Sequence, residues 1–237
     1  MDFSFSPLWI SLKIATVSTI FTFILGILFA RLVYPMKRWR FLIDGLLSLP
    51  MVLPPTVVGF FLLIIFGKNS VIGRFLSSVG VNLIFTWQGA VIAAVVVSFP
   101  IMYITTMGAF RQMDTELIDA ARTLGFSERA IFFKVWIPLS WPGIAAGTTL
   151  SFARALGEFG ATIMIAGNLP DQTRTMSIAV YSAMQGGNRE MAFWWVIIIM
   201  CIAFCTLVLM NFWSSRRYTD DVYQYPVVRR HRGFGRS

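Results

Sequence analysis

Apolar residues along this chain gather into long runs separated by short clusters of charged and polar positions. Five runs are long enough to cross about 30 Å of hydrocarbon at 1.5 Å rise per residue, and they fall near residues 8–30, 41–66, 86–108, 141–166 and 192–213. The pattern predicts an all-α membrane protein with about five transmembrane helices in one domain, 1–213, followed by a basic tail, 214–237. The break between the third and fourth runs is unlike a solvated connection. Asp119 to Pro138, "DAARTLGFSERAIFFKVWIP", lacks clustered Gly, Ser and Asn, and its apolar residues recur at helical spacing. Asp114 is placed to cap a first short helix by accepting from its free amides, and Gly125 follows it where a left-handed residue is easiest for glycine. Ser127 caps a second helix with Glu128 in its first turn, Pro138 ends it, and Pro142 opens the next span. Leu117, Ala120, Ala121 and Leu124 are expected on one side of the first helix. The segment 114–138 thus reads as an elbow jointed at Gly125, whose small side chains suit close docking to another protein; the competing reading is an amphipathic helix lying on lipid.

Composition supports the membrane reading: 57% of the 237 residues are hydrophobic, 13% are charged, and mean hydropathy is +0.71. The net charge of +9 would suggest nucleic acid in a soluble protein. Here 14 of the 20 basic residues lie in the first connection, the third connection and the tail, so the positive-inside rule explains them and no nucleic-acid role is read from them. The rule places the N-terminus outside, the C-terminus in the cytoplasm and the elbow on the cytoplasmic face. The first basic residue is Lys13, so no charged n-region precedes the first run and that run is expected to stay as an anchor. Cys201 and Cys205 share one apolar run and read as small packing residues; the single histidine, His231, is in the tail. With no histidine in a span, no metal-type cluster and no facing carboxylate pair, a membrane-embedded enzyme is disfavoured.

Several polar or helix-breaking residues lie inside the runs. Pro50, Pro54 and Pro55 cannot all sit in an unbroken helix, so the second span is either a broken segment lining a pathway or a helix kinked near its cytoplasmic end. Arg154 and Glu158 stand four residues apart in the fourth span. They read as a mutual ion pair, as an aid to an anion crossing the barrier, or as both; Gly157 and Gly160 weaken the helix beside them. Lys13 is expected to snorkel to the outer surface and Asp44 to serve a helix start. Asp171 and Arg174, in the outer loop 167–175, face either solvent or an external partner.

The stretch "DAARTLGFSERAIFFKVWIP" resembles the cytoplasmic motif of inner-membrane permeases of ABC importers: Glu-Ala-Ala, three residues, Gly, nine residues, Ile-x-Leu-Pro. Asp119, Ala120 and Ala121 stand for Glu-Ala-Ala, Gly125 keeps its place, and Val135 to Pro138 close the motif at the same spacing. "LSLPMVLPPTVVGFFLL" and "SFARALGEFGATIMIAGNLPDQTRTMSIAVYSAM" look like the molybdate permease branch, with sulfate and thiosulfate permeases as neighbours. The resemblance implies a type I importer permease fold and a coupling segment, Asp119, Ala120, Ala121, Gly125 and Pro138, that docks a cytoplasmic ATPase subunit. It implies two copies around one pathway; the prolines and charges inside the spans make Arg154, Glu158, Pro54 and Pro55 the pathway or gate candidates. It also implies an external solute-binding protein and an oxyanion cargo, molybdate or tungstate, with sulfate or thiosulfate as the alternative. No cofactor is expected in this chain; no GxxxxGK[ST] occurs in it, so ATP and magnesium would sit on the partner. A secondary transporter is the remaining rival, disfavoured because no internal repeat is evident.

Overall fold

The computed structural model describes residues 4–224, with side chains described to Leu209. The side chains of the basic tail from Ser214, and all of 225–237 with His231, lie outside the described residues. Every described element is helical. Helix α1 (Ser6–Val33) is followed by α2 (Arg40–Val52) and α3 (Pro55–Phe66), then by short α4 (Val71–Ser78) and long α5 (Trp87–Arg111). The elbow contains α6 (Thr115–Thr123) and α7 (Glu128–Ile131), which runs through a π turn, Phe132–Trp136, into α8 (Ile137–Leu156). Then come α9 (Gly160–Ala166), α10 (Met176–Gln185) and α11 (Arg189–Gln224). Four helices, or five if α2 and α3 count as one bent span, are long and apolar enough to cross a membrane.

The structure corrects three boundaries. The run 41–66 is two helices meeting at 107°. The run 141–166 breaks after Leu156 and resumes at Gly160. Pro138 does not end the second elbow helix, nor does Pro142 open a span, because one helix continues from Glu128 to Leu156. A proline ring crowds the carbonyl four residues back and offers no N–H to it. The wider π turn takes up that misfit, with Ile137 donating to the carbonyl of Phe132, five residues back.

Helix α5 is central, with α1, α2, α3, α8 and α9 all packed on it. Lipid gives apolar helices no hydrophobic reason to associate, so close approach of small residues and buried polar contacts must hold the bundle. Gly26 on α1 lies against Met102, Gly147 on α8 against Thr105, and a Cβ added to Gly143 would stand 2.6 Å from that of Ala109. Midway along the bundle Thr22 and Ser98 share a hydrogen bond of 3.1 Å, and Ser151 donates to the Ser98 carbonyl at 3.4 Å. One core cluster lies at the elbow end around Tyr103, Phe110, Trp136 and Ile144. The other lies at the far end around Ala94, Leu156, Ala161, Ile165 and Met176. Cys201 and Cys205 are exposed on α11 rather than packed, on a face with Phe204 that suits lipid.

At the crossing of α3 and α9 a glycine lies directly against the backbone of the other helix. A Cβ on Gly59 would lie 2.7 Å from the Cα of Ala161 and 2.8 Å from its carbonyl oxygen, and backbone cannot swing aside as a side chain can. Gly59→Ala is therefore expected to destabilise the protein by about 1–3 kcal/mol through overpacking, seen as a lower melting temperature of purified protein in detergent. Gly108→Ala, with nothing within 4 Å of the added Cβ, should not lower it.

Candidate functional site

The elbow forms for local reasons. Asp114 accepts from the Glu116 N–H at 2.9 Å and caps α6, and Ser127 accepts from the Ala130 N–H at 3.3 Å and caps α7. At the other end of α6, Gly125 donates to the Arg122 carbonyl at 2.9 Å and Phe126 to that of Ala121 at 3.2 Å. This paired closure needs a left-handed residue, and Gly125 supplies it at φ +81°. A side chain there meets no neighbour, so glycine is required by backbone conformation and not by space.

The residues expected on one side of α6 separate. Ile118 and Ala121 are buried against the bundle, whereas Leu117, Ala120 and Leu124 are exposed together. Leu117, Ala120 and Leu124, at i, i+3 and i+7, form one stripe; Ile118 and Ala121 form the adjacent one, which faces the core. Asp119, Phe126 and Phe133 are also exposed. The elbow thus presents an outward apolar surface with an acidic group beside it.

A polar clamp braces this surface. Arg122 donates to Asp119 at 2.9 Å and to Glu128 at 2.7 Å, so it spans the Gly125 joint. Those hydrogen bonds, the one to Glu128 foremost, push the guanidinium pKa still higher. Glu128 also meets Arg31 at the end of α1, at 3.5 Å. The Arg31 guanidinium lies 4.8 Å from the Trp136 ring centre, and Trp136 packs edge-on to Tyr34 at 4.7 Å and Phe110 at 5.0 Å. In the sequence Arg31 is one of the basic residues of the first connection, which the positive-inside rule accounts for. Its partner is 97 residues away, so no local signal revealed the contact.

Asp44 does not serve the start of α2, as the sequence led one to expect: the helix begins at Arg40, with no side-chain cap and no acidic residue in its first turn. Asp44 accepts from the Tyr103 hydroxyl and from Arg111 at 3.2 Å, with Arg40 Nε at 3.6 Å. No residue of α2 is fully buried, so this cluster is a principal tie between α2 and α5.

The two helix breaks meet each other. Leu53 is extended, as a residue before proline tends to be, and Pro54 and Pro55 start α3. Prolines suit this position because they bring no N–H that would go unpaired at a helix start. The Pro54 carbonyl accepts from Val57 at 2.9 Å and Val58 at 3.2 Å. At the second break Glu158, 2% exposed, takes two bonds: Arg154 Nη1 at 2.6 Å and the Ala161 N–H at 2.8 Å. Its carboxylate therefore holds the end of α8 and the start of α9 together. A Cβ on Gly160 would stand 3.0 Å from that of Pro55. Pro55 and the Glu158 break, widely separated in sequence, are neighbours in the fold.

The outer candidates lie elsewhere. Arg174 donates to Asn168 at 2.8 Å within its own loop, and exposed Asp171 has φ +61°. Lys13 sits 3.6 Å over the Trp87 ring. Arg154→Ala would leave the Glu158 charge buried without its partner. The expected loss is about 2–3 kcal/mol, short of the full cost of unpairing a buried ion because Arg154 is partly exposed. Arg154→Ala combined with Glu158→Gln should recover most of it, since the amide oxygen still accepts from Ala161; melting temperatures of the three variants check this.

The same architecture occurs in solved transporters. The chain matches a bacterial ABC transporter involved in the import of the acidic polysaccharide alginate with TM-score 0.74 and 17% identity, covering 89% of this chain and 78% of that one. It matches an inward-facing MetNI methionine ABC transporter with TM-score 0.70 and 17% identity, covering 89% and 94%. Among sequences, the YvgM protein of Bacillus subtilis (strain 168) is 42% identical over 212 residues, 87% of this chain and 92% of that protein. The molybdenum transport system permease protein ModB of Escherichia coli (strain K12) is 41% identical over 213 residues, 87% and 91% of the two chains. Residues 22–218 match the family model of the binding-protein-dependent transport system inner membrane component, and the chain belongs to that family.

Proposed function

We propose that this chain is the membrane-spanning subunit of an ATP-driven importer that carries molybdate into the cell. The observation that carries the reading is the elbow: an exposed stripe of Leu117, Ala120 and Leu124, braced from behind by Ile118, Ala121 and the Arg122–Glu128 clamp, at the spacing of the importer coupling motif. A surface that is apolar, small in the middle and clamped through Arg122 and Glu128 to the start of the long helix suits a groove on a separate ATPase subunit better than a lipid surface. That subunit would hold ATP and magnesium. The cation-rich elbow end would face the cytoplasm, a second copy would complete the pathway, and an external binding protein would deliver cargo at the far end. The cargo assignment rests on relatives matched over about nine-tenths of their length, including one from Escherichia coli that is named a molybdenum transport system permease.

In this reading ATPase closure pushes the elbow, and the helix from Glu128 to Leu156 carries that movement to the breaks at 53–54 and 157–159. Helices α3 and α9, locked through Gly59 and Gly160, then move as one body.

Ala120→Arg and Leu124→Glu should leave membrane insertion and melting temperature close to wild type and abolish transport-coupled ATP hydrolysis in reconstituted complex. Ala121→Arg should instead lower stability, because it forces a charge into the core face. Normal coupled hydrolysis in Ala120→Arg would remove the docking role. For cargo, cells lacking this protein should lose high-affinity uptake of labelled molybdate and keep that of sulfate; the reverse pattern would assign it to sulfate.

A further inference from the structure

Helix α4 is outside every span and too short to cross a membrane, at about 12 Å, yet it turns large apolar side chains away from the protein. Val71 is 75% exposed, Ile72 50%, Phe75 67% and Val79 59%. Val71, Phe75 and Val79, at i, i+4 and i+8, form one stripe with Ile72 beside it; Ser78 and Arg74 flank the stripe, and Ser77 lies across the helix from it. Which side faces the protein is fixed by Gly73, which is buried so closely on the Gly67 carbonyl that a Cβ would collide with it. Ser70 secures the helix start by accepting from the Gly73 N–H at 2.7 Å.

Between α4 and the chain that leads on to α5 lies a cavity of about 540 Å³, walled by Leu63, Phe66, Leu76, Val81 and Phe85 with Lys68 among them. The sequence holds no acidic residue from Gly45 to Met113, and neither Lys68 nor Arg74 has an acidic partner among the described residues. Phe60, Phe61, Ile64 and Ile65 on α3, part of the bent helix pair apolar enough to span a membrane, are exposed as well.

We propose that α4 lies in the headgroup boundary of the leaflet at the end away from the elbow and seats a phospholipid there. Its apolar stripe enters the acyl boundary, the cavity takes an acyl chain, and Lys68 and Arg74 meet the lipid phosphate. Amphipathic helices with cations beside an apolar face bind membranes in this manner. The seat braces the outer end of α3 against the bilayer, a constraint that the bundle alone does not supply.

The test uses the full chain in lipid nanodiscs, with Cys201→Ser and Cys205→Ser removing the exposed native thiols. A fluorophore is placed at Phe75→Cys, at Val71→Cys or, as a solvent-exposed reference on α6, at Glu116→Cys. Nitroxide-bearing lipids should quench labels at 71 and 75 severalfold more strongly than the label at 116, and aqueous iodide should show the opposite order. Labels at 71 and 75 that iodide reaches as readily as the one at 116 would overturn the proposal. So would labels shielded from both quenchers, since protein would then cover the stripe. Lys68→Glu with Arg74→Glu should at least halve the anionic phospholipid retained per protein on purification; unchanged retention would remove the phosphate seat.

Discussion

In hydrocarbon no water satisfies an opened backbone, so a broken helix persists only where protein groups cover the break. This chain carries two such breaks and covers them in two ways. At 53–54 the prolines remove the donors that would otherwise go unpaired. At 157–159 a buried carboxylate supplies the acceptor, with Arg154 balancing its charge. Each break also packs beside the other, through Gly160 and Pro55. The positions of α3, α9 and the ends of α2 and α8 follow from that arrangement.

The elbow is joined to the same place by a single rod. From Glu128 to Leu156 the helix is continuous for 29 residues, about 43 Å long. One end is held by Arg31, Trp136 and the Arg122 clamp, and the other ends at the Glu158 break. A rod that carries the exposed elbow surface at one end and a paired break at the other is suited to converting a push into a tilt. The π turn lets the rod pass Pro138 without ending, so the proline marks a local widening rather than a boundary.

Features set by neighbouring residues were legible in the sequence. Asp114, Gly125 and Ser127 announce caps and a left-handed joint, Pro54 and Pro55 announce a break, and Arg154 with Glu158 announces a pair one helical turn apart. Features set by packing between distant segments were not. Nothing near Gly59 says that Ala161 will cross it, nothing near Asp44 points to Tyr103, and nothing near Arg31 points to Glu128. The division of Ala120 from Ala121 is of the same kind: periodicity allows either stripe to face inward, and only the bundle behind α6 decides. Pro138 misled because a proline in a helical pattern usually marks an end, and the π turn that absorbs it has no local signature.

In the proposed import cycle α3 and α9 move as one body, bounded by the two breaks. The direct measurement is a set of spin-label distances in the reconstituted complex, with labels at Leu46 on α2, Ile64 on α3 and Asn168 just after α9. On binding ATP, the distance between 64 and 168 should stay constant while that between 46 and 64 shifts. A constant 46–64 distance with a shifting 64–168 distance would contradict the account.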